Sequence, residues 1–237
     1  MKANGTLKIV FMLFLPAILN IGISMIIAWV VVARLIAEGA EPSRFGVEIA
    51  RTIYTYNFYW SILQVVFGVY FAKKMGWTKW LKEKYSPAGE SVAKSLLLIA
   101  GLATFSLAVI FSEQFINAAM FGGWERYMEY WKLMVGNLPW WSKLYMVAIA
   151  PFTAGIFEEI IWRGYGIDTL EKRIGSKKAV LVQAIAFGFW HGISFHIIIT
   201  FIIGLVYGLV YLRKRKLLQL TLAHIVTDVV GFAYAFL

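Results

Sequence analysis

Two carboxylates and a guanidinium stand where an apolar stretch should continue. The segment "GIFEEIIWRG", residues 155–164, follows "LYMVAIAPFTA" and carries Glu158, Glu159 and Arg163. Further on, "AFGFWH" closes on His191, and "HIVTD" holds His224 and Asp228. Ionisable groups inside hydrocarbon cost about 2.5 kcal/mol or more each, so their default reading is functional. Glu159 and Arg163 are four apart and can pair on one helix face. Glu158 is rotated by about 100° from Glu159 on an α-helix and has no local countercharge. His224 and Asp228 again share a face. A carboxylate and an imidazole can activate a water molecule. Two histidines and a glutamate (Glu158, His191, His224) are also a known zinc set, although the HExxH spacing is missing. The chain contains no cysteine, so thiol chemistry and disulfides are excluded.

These residues need elements to hold them. Of 237 residues, 60% are hydrophobic and only 15% charged, a membrane-protein balance. A crossing takes about 20 apolar residues. Seven such spans fit, at about 9–33, 53–72, 95–116, 143–162, 179–193, 194–212 and 217–237. The N-terminal stretch lacks an A-x-A cleavage signal and reads as a retained first helix. Without repeats or linkers, residues 1–237 form a single integral membrane domain. The expected fold is all-α, a polytopic transmembrane bundle of about seven spans, placed multi-pass in the cell membrane.

Charge sets the orientation. Basic loops alternate with balanced ones, and 17 of the 23 Lys and Arg fall on one side. By the positive-inside rule that side, with the N-terminus, is cytosolic. The net charge of +10 is thereby explained by the membrane, not by nucleic acid. The third loop, "MFGGWERYMEYWKLMVGNLPWW", is aromatic enough to lie along the outer interface. Gly188 with Gly192, and Gly204 with Gly208, suggest a tight hairpin between spans five and six. "RKRK" reads as a topology signal. Asn20, Asn57 and Gln183 read as links between helices, and His196, beside the outer turn, as structural.

Ten of the 13 acidic residues belong to the loops; Glu158, Glu159 and Asp228 remain inside spans, as do all three histidines. Packing spans four, five and seven together would gather Glu158, His191, His224 and Asp228 around one cavity. Counted at 1.5 Å per residue from the basic loops, Glu158 lies roughly 7 Å deep, and His224 and His191 roughly 12 and 18 Å. The cavity is therefore expected to open to the cytosol.

The three motifs "EEIIWR" (EExxxR), "FGFWH" (FxxxH) and "HIVTD" (HxxxN/D), in this order, resemble the CPBP family of intramembrane proteases, also called Abi. It includes type II CAAX prenyl endopeptidases and bacteriocin-processing or immunity proteins. The resemblance covers about residues 143–237, the motif-bearing core. The third motif ends in Asp228 where CAAX-type members commonly have Asn. The resemblance implies a peptidase without resident metal, acting on a membrane-associated peptide or protein with or without a lipid anchor. Glu158 and His191 would hold the nucleophilic water, and His224 with Asp228 would face the scissile carbonyl. Glu159 and Arg163 would keep Glu158 aimed. An anionic Asp228 would have to be protonated, or hold His224 as the donor. Two other classes fit the same residues: a zinc-dependent membrane peptidase, and a non-catalytic immunity protein, chaperone or transporter.

Overall fold

In hydrocarbon a backbone must satisfy its own N–H and C=O groups, and helices do so within one segment. Every regular element among the described residues is helical. The computed structural model describes residues 2–87, 89 and 91–237. Glu90, one of the ten loop carboxylates, and the side chain of Lys2 lie outside the described residues. The order is α1 (Lys2–Ala37), a 3-10 turn (Pro42–Arg44), α2 (Phe45–Thr55), α3 (Phe58–Lys74), α4 (Trp77–Tyr85), α5 (Val92–Met120) and α6 (Trp124–Val135). It continues with α7 (Trp140–Ala148), α8 (Ala150–Thr153), a π-helical segment (Ala154–Ile167), α9 (Asp168–Ile174), α10 (Ser176–Trp190), α11 (His196–Lys214) and α12 (Leu218–Phe236).

Five stretches are long and apolar enough to cross a membrane: Gly5–Ala37, Val92–Met120, Trp140–Ile174, His196–Lys214 and Leu218–Phe236. The protein is a multi-pass helical membrane protein. The other two expected spans are the shorter helices α3 and α10, of 17 and 15 residues. At 1.5 Å per residue they reach about 25 and about 22 Å, short of a 30 Å hydrocarbon layer. Both pack into the bundle, α3 on the π-helical segment and α10 on α1 and α11. On α1, Leu13, Ala17 and Asn20 recur at helical spacing and are buried, while Ile26, Trp29 and Val30 are exposed.

The small and amide residues work largely as expected. Asn20 Nδ2 donates to Trp190 O at 2.7 Å, and Gln183 Nε2 to Gly204 O at 2.8 Å. Asn57 Nδ2 reaches Met146 Sδ at 3.3 Å. A Cβ on Gly188 would stand 3.0 Å from Ile197 O, and one on Gly208 2.6 Å from Gln183 Nε2. The α10–α11 hairpin is thus tight because these glycines let backbones meet. Gly192 is different: its φ of +93° makes it the turn residue, with nothing near its missing Cβ.

Two segments expected as loops are packed helices. At one end, α6 joins α2, α7 and the end of α12 in a second core of Met134, Val135, Leu138, Met146 and Phe236. Tyr54 meets Trp131 and Phe236 edge-on at 6.3 and 5.5 Å. At the lysine-rich end, α4 buries Trp80 beneath Gly164, where a Cβ would lie 2.6 Å from the indole. Tyr85 donates to Ile156 O at 3.4 Å, and burial pushes its phenol above the usual range, so it stays a neutral donor.

The same end is clamped by charge. Lys84 Nζ lies 2.8 Å from Asp168 Oδ2, with both side chains largely buried. Tyr211 donates to Asp168 Oδ1 at 3.0 Å, and Arg215 grips Glu171 through two bonds of 2.6 and 2.7 Å. Part of "RKRK" is therefore structural. Removing one partner of a buried pair strands the other charge, at about 3–5 kcal/mol. Asp168→Asn is expected to lower the melting temperature in detergent, and adding Lys84→Met should recover part of the loss. An unchanged melting temperature in the single variant would mean that Lys84 reaches water.

Candidate active site

The segment carrying Glu158, Glu159 and Arg163 is a 14-residue π-helix, not the regular α-helix that the spacing suggested. Such i→i+5 turns are rare and frequent at functional sites. Its glycines set the approach of neighbours. A Cβ on Gly155 would sit 2.5 Å from Ile225 Cγ1 and 3.1 Å from Thr221 O, both on α12. Without it, α12 closes onto the π-turns and brings His224 to the glutamates.

Glu158, Glu159 and Arg163 are almost wholly buried, at 1%, 0% and 0% exposure. Glu158 Oε1 accepts from Gln64 Nε2 at 2.7 Å and from Trp190 Nε1 at 2.5 Å. Its other oxygen makes no hydrogen bond to protein and lies 3.8 Å from His224 Nε2. Glu159 Oε1 accepts from Arg163 Nη1 at 3.0 Å and meets His224 Nδ1 at 2.9 Å. The guanidinium also lies over the Phe187 ring at 4.1 Å, with Tyr207 at 5.3 Å.

Arg163, Glu159 and His224 therefore form a chain. The arginine neutralises the carboxylate, and the carboxylate accepts a hydrogen bond from Nδ1–H and fixes the ring, as an orienting carboxylate does. The Nε2 edge then faces Glu158, and Asp228 Oδ2 at 3.6 Å. One of the two roles expected of Asp228 is to hold His224. That task falls to Glu159, because Asp228 lies on the Nε2 side, too far for a hydrogen bond. Glu159 was expected to aim Glu158; its side chain aims His224, while Gln64 and Trp190 hold Glu158.

His191 ends α10. Its Nδ1 lies 2.9 Å from Phe187 O, one turn back, and donates to it in the tautomer that satisfies that carbonyl. This leaves Nε2 as an acceptor. The ring is held edge-on by Phe187 at 4.8 Å and Trp60 at 6.0 Å.

Glu158, His191, His224 and Asp228 line one cavity of about 800 Å³. The four residues are brought together as expected; the opening is not where expected. The wall continues through Glu113 and Asn117 of α5, Tyr127 and Met128 of α6, and residues 192–196 of the α10–α11 turn. Ile193 and Tyr234 in this lining are 76% and 59% exposed. None of the lysine-rich loops contributes. The cavity opens at the end carrying the balanced loops, not at the lysine-rich end from which its depth was counted. Depth counted along isolated helices could not see that α4 seals the lysine-rich end with Trp80, beside the buried Leu170 and Leu217.

Three cavity residues, and one donor behind the cavity wall, were missed in sequence. Gln64 was a lone amide in an apolar stretch, a signal that was there to be used. Trp190 sat inside the FxxxH motif. Glu113 was assigned to a loop, yet it is 7% exposed within α5. His196, read as structural, lies 2.6 Å from Glu113 through Nδ1. Among the described residues, no three His, Asp or Glu side chains are grouped as the ligands of one metal ion would be.

Residues 139–230 match a family model described as type II CAAX prenyl endopeptidase Rce1-like. The match spans all seven motif residues and none of α1–α6, and it is the family that the motifs resembled. No curated protein and no solved structure matches the chain significantly.

Proposed function

We propose that the chain is an intramembrane endopeptidase whose water-activating groups are Glu158 and His191. Glu158 takes a proton from a water molecule, whose other O–H donates to His191 Nε2. The hydroxide attacks the scissile carbonyl carbon. The resulting oxyanion accepts a hydrogen bond from His224 Nε2–H, a preorganised donor of the kind that stabilises tetrahedral intermediates. Asp228 lies beside the same edge, at 3.6 Å. The C–N bond then breaks, and the amine leaves with a proton. This chemistry needs no metal ion.

The observation that carries the reading is the state of Glu158. One carboxylate oxygen is held by two neutral donors, and the other, without a protein hydrogen bond, lies 3.8 Å from His224 Nε2 in the cavity wall. Glu159 also has an oxygen without a hydrogen bond, but it is paired with Arg163 and does not line the cavity, whereas Glu158 lines it with no Arg or Lys partner. The substrate is a membrane-associated peptide or protein, with or without a lipid, in the cell membrane. With the lysine-rich loops in the cytosol, the bond is cut toward the external side.

Membrane peptides from cells expressing the protein should contain new termini that are missing from cells expressing Glu158→Gln. The chain has no cysteine, so Ser194→Cys places a single thiol at the mouth. A membrane-impermeant maleimide should label it in intact cells. Identical peptide sets would favour a non-catalytic protein. Labelling only after permeabilisation would put the mouth in the cytosol. Stoichiometric zinc required for activity would replace the metal-free mechanism.

A further inference from the structure

The cavity holds a second carboxylate–imidazole pair that the mechanism above does not use. Glu113 of α5 and His196 of α11 meet at 2.6 Å, with side-chain exposures of 9% and 33%. The rings of His191 and His196 are 5.6 Å apart, edge to face. Glu113 lies outside the family match, and neither residue belongs to the three motifs.

The reaction has a proton to place at each end. His224 Nε2–H is committed to the oxyanion. His191 Nδ1–H is committed to Phe187 O, so its free nitrogen accepts. The lysine-rich end is closed by Trp80 and Leu217, so substrate enters from the mouth, and the departing half is set beside His196, which lines it. Glu113 fixes the His196 ring through Nδ1, which turns Nε2 into the working nitrogen, as carboxylates do in hydrolytic triads.

Resting on the endopeptidase reading, we propose that His196, held by Glu113, is a further catalytic residue: the acid that protonates the departing amine. As the C–N bond breaks, its electron pair goes to nitrogen, and nitrogen takes the proton from His196 Nε2. The oxyanion collapses to the new carboxyl group. Glu158 then gives up the proton it took from water, and cavity water returns it to His196. One water is consumed, and one acid and one amine are formed.

The test compares two leaving groups. The probe is the peptide found by the membrane comparison above, made once with its scissile amide and once as the depsipeptide with an ester there. An amine must be protonated to leave, whereas an alkoxide needs far less help. General acid catalysis contributes about 10²- to 10⁴-fold. His196→Gln should lower amide cleavage by at least about 10²-fold and ester cleavage by less than about tenfold. Imidazole added to His196→Ala should restore part of the amide activity, through the open mouth. Glu113→Gln should show the same selectivity with a smaller loss. Equal losses on amide and ester, with melting temperatures as in the wild type, would overturn the proposal, because a staple between α5 and α11 would affect both alike. So would an unimpaired His196→Gln enzyme, which leaves Glu158 to return the proton itself. A wild-type protein that cleaves neither probe removes the endopeptidase reading as well.

Discussion

Glu158→Gln is expected to lower turnover by at least about 10²-fold, and by as much as about 10⁴-fold, the range that a positioned acid–base group supplies. The protein should still fold. The asymmetry comes from the partners. Gln64 and Trp190 are neutral donors to Oε1, and a glutamine carbonyl can accept both bonds. No countercharge is stranded, so the usual penalty for breaking a buried ion pair does not arise. The lost function is the oxygen without a protein hydrogen bond, since an amide NH₂ cannot take a proton from water. Turnover in detergent micelles and the melting temperature of the same sample check it. Wild-type turnover with an intact fold would remove Glu158 from the role of base.

Glu159→Gln is expected to fail in both respects. Arg163 is 0% exposed, and Glu159 is its ion-pair partner at 3.0 Å. Neutralising the glutamate leaves the guanidinium in the core without its carboxylate, against the Phe187 and Tyr207 rings. Such a change costs about 3–5 kcal/mol. The His224 ring also loses its charged anchor at 2.9 Å, so the oxyanion donor loosens and activity falls. The double variant Glu159→Gln with Arg163→Met separates the two effects. It should regain thermal stability, because no charge is stranded, and should stay impaired in turnover, because His224 is still unanchored. Recovery of both would show that Glu159 serves the fold alone.

The residues lost in the sequence reading share one cause. Glu113 lies in a stretch that hydropathy divides between a span and a loop, and only the full length of α5 carries it into the cavity. His196 has no motif around it, and its partner stands 83 positions earlier in the chain. Gln64 reaches Glu158 across 94 positions. Side chains that meet at such separations leave no periodic trace in either segment, because each helix repeats only its own apolar face.

The sequence by itself determined that this is a helical membrane protein with a small set of misplaced charges, and which charges those are. Both follow from one-dimensional costs. Apolar runs must be helical in lipid, and ionisable groups there are expensive enough to stand out. It also determined the Glu159–Arg163 pair, since four residues bring side chains together on a π-turn as on an α-turn. Only the tertiary structure decided which carboxylate aims His224 and toward which end the cavity opens. The first depends on the missing Cβ of Gly155, which lets α12 close on Glu159 rather than leaving His224 to its own neighbour Asp228. The second depends on α4 and α6, two short helices of mixed charge and aromatic residues. Their faces become apolar surfaces only when packed, so one seals the lysine-rich end with Trp80 while the other lines the cavity at the opposite end.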